Sequence, residues 1–306
     1  MVSRKTRLVL MKILSLFSVV RGYNILIIVL AQYLSAIFIL DKESRALDVL
    51  LDVNLFLIVL ASSLTIASGY IINNFYDAKK DLINRPKKSM LDRLVSQQTK
   101  LHVYFALNML VVLLAFLVSW RALLFFSAYI FLIWFYSHKL KKYPVVGNLT
   151  AAFLAVLPFF GILMYFKNFY EVIFAHAAFL YLLILIRELI KDLENIKGDL
   201  ANSYRTIPVM FGEKVSKQII ALLTFFTIIP VYLLIDVYSV GYMDVYFYAG
   251  MVVIVYFLIQ LWRAETQKQY LQLHNILKLL IVTGVFCIAL IEPSVLVHGR
   301  KLLSVI

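Results

Sequence analysis

The sequence predicts an all-α, polytopic membrane bundle of nine transmembrane helices, and three observations predict it. The chain is too apolar for water: 63% of its 306 residues are hydrophobic and 15% charged, with a mean hydropathy of +0.89, whereas a soluble domain carries roughly 25% charged residues. Nine apolar stretches come near or above the length of about 20 residues that crosses a bilayer core. The basic residues are dense in every second connection and sparse in the others, as expected of a multi-pass chain.

The stretches follow one another through the whole chain, which reads as a single domain over residues 1–306. The first, 19–40, follows Arg4, Lys5, Arg7 and Lys12. Its apolar length after Arg21 exceeds that of a secretory signal and no small-residue cleavage site follows, so it reads as a retained helix. The next, 54–76, runs into an acidic and basic segment. Stretches 101–120 and 122–136 are separated only by Arg121, which predicts a tight hairpin there. Then come 145–166, 170–190, 215–235, 245–262 and 276–297. None alternates as a lipid-facing strand would, and a helix satisfies its own backbone in hydrocarbon.

The net charge of +13 would suggest nucleic acid in a soluble protein. Here most basic residues fall on one side of the predicted bundle: the N-terminus, 79–100, 139–142, 187–217 and 263–268. The other side holds only Lys42, Arg45, Arg121, Lys167, Arg300 and Lys301. This asymmetry predicts an inner-membrane protein with a cytoplasmic N-terminus, anionic lipid or substrate as partner and no nucleic acid. The one cysteine, Cys287, lies in an apolar run and allows neither an internal disulfide nor a thiolate cluster. The five histidines show no ligand spacing, and no nucleotide-binding glycine loop, nucleophile elbow or zinc pattern is present.

The chemistry is concentrated at the ends of the second and sixth stretches. Asn73, Asp77 and Asp81 are spaced by four, so each advances about 40° around a helix and all three share a face. Glu188, Asp192, Asn195 and Asp199 are spaced four, three and four, a second stripe. Both stripes crowd helix C-termini, where the dipole disfavours each negative charge by about 0.3 to 1 kcal/mol. Carboxylates and carboxamides gathered there suit a hard divalent cation. Mg²⁺ characteristically combines one or two carboxylates with substrate phosphate oxygens. With Lys and Arg around them, the stripes predict a lipid diphosphate held by metal at the cytoplasmic membrane surface.

These motifs resemble the UbiA superfamily of intramembrane prenyltransferases. The resemblance rests on Arg21-Gly22-Tyr23-Asn24, on Asn73-x-x-x-Asp77-x-x-x-Asp81 with Asn84-Arg85-Pro86, on Tyr136-Ser137 and Leu140-Lys141, on Gly147-Asn148, and on the run from Arg187 to Asp199 ending in Thr206-Ile207-Pro208. It implies that Asn73, Asp77 and Asp81 form one Mg²⁺ group and Asp192, Asn195 and Asp199 a second. Arg21, Asn24, Asn73, Arg85, Lys141 and Arg205 would then bind substrate. Asp77, Asp81, Asp199, Lys141 and Tyr136 would carry catalysis, with Phe75, Tyr76 and Tyr204 as further aromatic faces for a carbocation. In one respect the chain departs from the family: Asn195 stands where the second motif usually has Asp, so Asp192 or Glu188 takes a larger share.

The implied reaction transfers a prenyl group from an allylic diphosphate to a hydrophobic or aromatic acceptor. The context Arg187-Glu188-x-x-Lys191-Asp192 is most similar to the branch that prenylates geranylgeranylglyceryl phosphate, with 4-hydroxybenzoate or another quinone precursor as the alternative acceptor. A membrane transporter is the rival of another class. Such folds place ionisable groups near the bilayer midplane rather than at one surface.

Overall fold

The computed structural model describes residues 4–41 and 44–292, with side chains from Leu10 onward. Lys42, His298, Arg300, Lys301, the side chains of Arg4, Lys5 and Arg7, and the end of the last predicted stretch lie outside the described residues. Among those described, the regular structure is helical throughout and nine spans have the length and hydropathy to cross a membrane.

Helix α1 (Arg4–Val20) is followed by α2 (Gly22–Ser35), which continues as a π-turn to Leu40, and by a short α3 (Ala46–Leu50). Then come α4 (Val53–Asn84), α5 (Pro86–Asp92), α6 (Gln97–Val118), α7 (Trp120–His138) and α8 (Val146–Phe166). The remainder is α9 (Glu171–Glu194), α10 (Ile196–Ala201), α11 (Ile207–Phe226), α12 (Ile228–Tyr232), α13 (Asp244–Arg263) and α14 (Gln267–Cys287).

Two boundaries differ from expectation. The first span starts at Gly22 rather than residue 19, because Arg21 adopts a left-handed conformation (φ 51°, ψ 53°) that separates α1 from α2. Arg21 therefore sits at a helix break and not inside a continuous apolar helix. The hairpin between α6 and α7 turns at Ser119, not at Arg121. Ser119 is extended, and its hydroxyl accepts from the Ala122 amide at 3.1 Å, which makes it the N-cap of α7 and leaves Arg121 in the first turn.

Helix α4 is the most enclosed span and packs against α1, α2, α6, α7, α8 and α10. Asp52 caps it by accepting from the Asn54 and Leu55 amides. Its 32 residues rise about 48 Å, some 18 Å more than a hydrocarbon core is thick. About 20 residues from Val53 suffice to span, so the segment from Asn73 onward overhangs one end of the bundle. Helix α9 is the second hub, against α8, α11 and α14.

Several polar groups inside the bundle are matched across helices. Pro158 lies inside α8 and has no amide hydrogen for the Leu154 carbonyl four residues before it. The Tyr129 hydroxyl of α7 donates to that carbonyl instead, at 2.9 Å. The buried Gln32 donates to the Pro158 carbonyl at 2.9 Å and so joins α2 to the same point. At the overhanging end, Asp92 is almost fully buried and accepts from Asn74 (3.1 Å) and Ser18 (3.3 Å), while Lys100 donates to the Asn74 carbonyl oxygen at 2.8 Å. Ser15 donates to the Leu91 carbonyl. Together these bonds pin α5 to α1, α4 and α6.

The end of α4 touches α10 closely at a glycine. The Gly198 amide donates to the Asn84 side-chain oxygen at 3.0 Å, and a Cβ on Gly198 would lie 2.3 Å from the Asn84 amide nitrogen. Two outcomes follow from these contacts. Tyr129→Phe should lower stability by about 1–3 kcal/mol through the unpaired Leu154 carbonyl, read as a lower midpoint of thermal unfolding in detergent. Gly198→Ala should displace the Asn84 side chain and break its bond to the residue 198 amide, at a cost of about 0.5–1.5 kcal/mol, and should lower activity more than Tyr129→Phe does in the same membranes.

Candidate active site

Four elements meet at the overhanging end: the last turns of α4, the short 3-10 turn Leu140–Lys142 after α7, the last turns of α9, and the segment from Asn195 to Thr206. The first stripe is continuous, because α4 runs through to Asn84 and keeps Asn73, Asp77 and Asp81 on one face. The second stripe is not one helix. Helix α9 ends at Glu194, Asn195 takes non-helical torsions (φ −108°, ψ 11°), and α10 carries Asp199.

Asp77 is buried and accepts two hydrogen bonds on the same oxygen, from Lys141 Nζ at 2.7 Å and from the Tyr204 hydroxyl at 3.0 Å. Lys141 also donates to the Asn73 side-chain oxygen at 3.1 Å. The loop after α7 thereby supplies the cation that the first stripe lacks. Asp199 is wholly buried; it forms an ion pair with Lys80 of α4 and accepts from Thr206 Oγ1 at 3.3 Å. Burial pushes the Asp199 carboxyl up from the usual carboxylate range, against the opposing pull of the Lys80 ammonium. The Lys80 nitrogen lies 4.6 Å from the centre of the Tyr204 ring. Burial, and after it the neighbouring Asp77, raise the Tyr204 phenol, so it stays protonated and can donate.

The other predicted residues have separate partners. Asp192 accepts from Asn148 Nδ2 at 2.7 Å, which ties α9 to α8 at the same level, and the half-buried Asp81 completes the first stripe one turn beyond Asp77. Tyr136 is half-buried among Asp77, Glu188 and Asp192. Arg85 is turned toward the second stripe by a 3.0 Å pair with Glu194, a buried acid that also faces His274 at 3.7 Å. Arg21 lies over the Tyr70 ring at 5.1 Å and Asn24 donates to the Tyr70 hydroxyl at 3.2 Å, so Arg21 and Asn24 share one anchor on α4. Asn195 donates its side-chain NH₂ to the Lys191 carbonyl at 2.6 Å, inside its own turn. Glu188 pairs with Lys191 (2.7 Å) and Arg187 (3.3 Å). Arg205 is exposed, and it is its backbone amide that joins the site, donating to the Lys142 carbonyl at 2.9 Å.

Sequence spacing does not single out Lys80, Asn148 or Thr206 as site residues. Asn148 and Thr206 enter only as parts of motifs. Lys80 has no signal of its own, since it lies between Asp77 and Asp81 among other lysines and its partner is 119 positions later.

Among the described residues no group of three His, Cys, Asp or Glu side chains is drawn tightly enough to enclose a metal alone. The donor set nevertheless fits Mg²⁺. Asp77, Asp81, Asp192 and Asp199 offer hard oxygens from two facing segments, and Mg²⁺ binds through one or two carboxylates when a substrate phosphate completes its octahedron. Deeper in the bundle an apolar cavity lies between the helices, lined by Ser35, Phe179, Leu183 and Gly284 and reaching Leu40 and Ile288 toward the opposite helix ends. Leu183 is nine residues before Asp192 on α9, so the cavity begins about 14 Å from the carboxylates. Polar end and apolar interior together suit a molecule with an anionic head and a hydrocarbon tail.

Comparison with known proteins agrees with this description. The family model described as the UbiA prenyltransferase family matches residues 29–278. A digeranylgeranylglyceryl phosphate synthase of Methanobrevibacter smithii is 29% identical over 213 residues, covering 65% of this chain and 69% of that protein. The enzyme of the same name from Pyrococcus horikoshii is 32% identical over 193 residues, covering 62% and 69%. Among solved structures, one of digeranylgeranylglyceryl phosphate synthase has a TM-score of 0.68 at 18% identity, covering 92% of this chain and 99% of that one. A UbiA homolog from Archaeoglobus fulgidus bound to GPP and Mg²⁺ has a TM-score of 0.66 at 17% identity, covering 90% and 99%. The chain, an integral membrane protein, therefore belongs to the UbiA prenyltransferase family.

Proposed function

We propose that this prenyltransferase is Mg²⁺-dependent and moves a geranylgeranyl group from its diphosphate to the hydroxyl of geranylgeranylglyceryl phosphate, with its site at the cytoplasmic face. One observation carries the reading: carboxylates from α4 and from the α9–α10 segment converge with lysines at one end of the bundle, and an apolar cavity lies deeper between the helices, about 14 Å away along α9. The names of the M. smithii and P. horikoshii relatives support the acceptor. The density of basic residues at the same end supports the sidedness.

Asp77, Asp81, Asp192 and Asp199 would hold Mg²⁺, with Asn73 as a neutral oxygen donor beside them and Asn195 as a structural turn residue. When bound, Mg²⁺ supplies positive charge to the diphosphate oxygens. Lys141, Arg85 and Arg21 bind the same headgroup, and Asn24 keeps the Arg21 anchor in place through Tyr70. Arg205 stands at the exposed rim as a first contact.

The allylic carbon–oxygen bond breaks with its electron pair going to the diphosphate. The acceptor oxygen then bonds to the allylic carbon and its proton is released. Developing negative charge on the leaving group is met by preorganised lysine and arginine side chains, which need no reorganisation at that moment. Tyr136, Tyr76 and Tyr204 present ring faces near the carboxylates, and each such face can stabilise a cation by about 0.5–2 kcal/mol. The tail lies in the apolar cavity, where each buried CH₂ contributes about 0.8 kcal/mol.

Two measurements test the reading. Purified protein in liposomes, given radiolabelled geranylgeranyl diphosphate, the glyceryl phosphate acceptor and Mg²⁺, should release diphosphate and form product. A chelator should abolish this, and Asp77→Ala should lower the rate by about a hundredfold or more; full activity in chelator would refute the metal role. In a panel of acceptors, the glyceryl phosphate lipid should react at least about tenfold faster than 4-hydroxybenzoate or dihydroxynaphthoate, the discrimination expected when a matched polar contact is missing. Reaction with the aromatic acids alone would establish the quinone-precursor alternative.

A further inference from the structure

Lys80 occupies a position that the reading above leaves unused. It belongs to the first stripe's helix, yet its ammonium pairs with Asp199 of the second stripe, which is wholly buried. The same ammonium rests on the ring of Tyr204, whose hydroxyl is bonded to Asp77. Lys80, Tyr204 and Asp77 therefore form a chain that crosses from one acidic group to the other. A second lysine, Lys141, closes the Asp77 end.

The charges explain why the lysine is there. A carboxylate without hydration needs an opposite charge or it destabilises the fold. Asp199 has one neutral donor, Thr206, and one cation, Lys80. A divalent cation shared by the two groups competes with Lys80 for the Asp199 carboxylate, whose other oxygen accepts from Thr206. Lys80 is 16% exposed at its side chain, on a flexible four-carbon stem, so it can swing a short way without disturbing α4. The anion nearest to it after such an exchange is the diphosphate that brings the metal.

We infer that Lys80 is a counter-ion that changes partners: it neutralises Asp199 in the empty site, and it binds the diphosphate once a divalent cation has taken Asp199. The inference rests on the proposed function above and adds to it a binding residue and an order of events. No bond is made or broken by Lys80; it exchanges one ionic partner for another. The device keeps the two acidic groups together when no substrate is present and delivers a positive charge to the leaving group when one is.

The test uses the full-length protein in detergent with two variants of opposite expected effect. Mn²⁺ binding is followed by electron paramagnetic resonance without diphosphate. Binding of geranylgeranyl thiodiphosphate, a poorly reactive donor analogue, is followed at saturating Mg²⁺. Lys80→Met removes the competitor, so Mn²⁺ should bind about tenfold more tightly and the analogue about tenfold more weakly, near the low end for one charge-assisted hydrogen bond. Lys80→Arg keeps the pair in a bidentate form that is harder to displace, so Mn²⁺ should bind more weakly than in the parent. This variant retains the charge and serves if Lys80→Met does not fold.

In chelator, Lys80→Met should unfold at a lower temperature than the parent, and adding Asp199→Asn to it should restore most of the difference. Unchanged Mn²⁺ affinity in both variants overturns the exchange, and unchanged analogue affinity in Lys80→Met overturns the diphosphate role. A parent protein that binds neither Mn²⁺ nor the analogue overturns the proposed function itself, which separates the two failures.

Discussion

The arrangement of this bundle's polar end depends on the cost of keeping carboxylates out of water. Asp77, inside the polar end of α4, and Asp199, in the first turn of the short α10, are both buried where hydration is poor. Each is neutralised by a lysine from a different part of the chain: Lys141 from the loop after α7, Lys80 from α4. Those pairings decide which loops fold back over the bundle and how closely α10 approaches α4. The contact of Gly198 with Asn84 and the bond from Arg205 to Lys142 follow from that closure.

The interior follows the same rule with neutral groups. A proline in α8 frees one carbonyl, and a tyrosine on the neighbouring helix answers it. A glutamine of α2 reaches the same turn. In hydrocarbon, helices gain little from burying apolar side chains against one another, because lipid is an equally good solvent for them. Such directional bonds therefore fix which helix lies beside which, and they set the lateral order on which the apolar cavity depends.

How much of this is legible in the sequence varies with the range of the interaction. The spans are readable because hydropathy and length are local properties, and the α4 stripe is readable because the helix continues through it. The second stripe is only half legible. Spacing alone treats Glu188 to Asp199 as one face, whereas the chain breaks at Asn195 and Glu188 turns to Lys191 and Arg187. Arg21 reads as a charge inside a helix because nothing local marks its left-handed torsions. Ser119, by contrast, has the chemistry of a cap, and the more conspicuous Arg121 beside it masks the signal. Lys80, Asn148 and Thr206 act on partners that only the packed bundle brings near: for Lys80 and Asn148 the partner lies on another helix, and for Thr206 it lies across the turn that follows α10.

The length of α4 has a consequence for encounter kinetics. About a third of the helix is more than a span requires, which suits a polar site at the membrane interface with an apolar cavity deeper in the bundle. A molecule already dissolved in the leaflet arrives with its head at the right height and has only two dimensions to search. The local concentration of such molecules, rather than their total amount in the sample, then sets the rate of capture. A short-chain, water-soluble analogue loses that advantage even where its headgroup is identical, and its poorer performance measures partitioning into the bilayer as much as recognition by the protein.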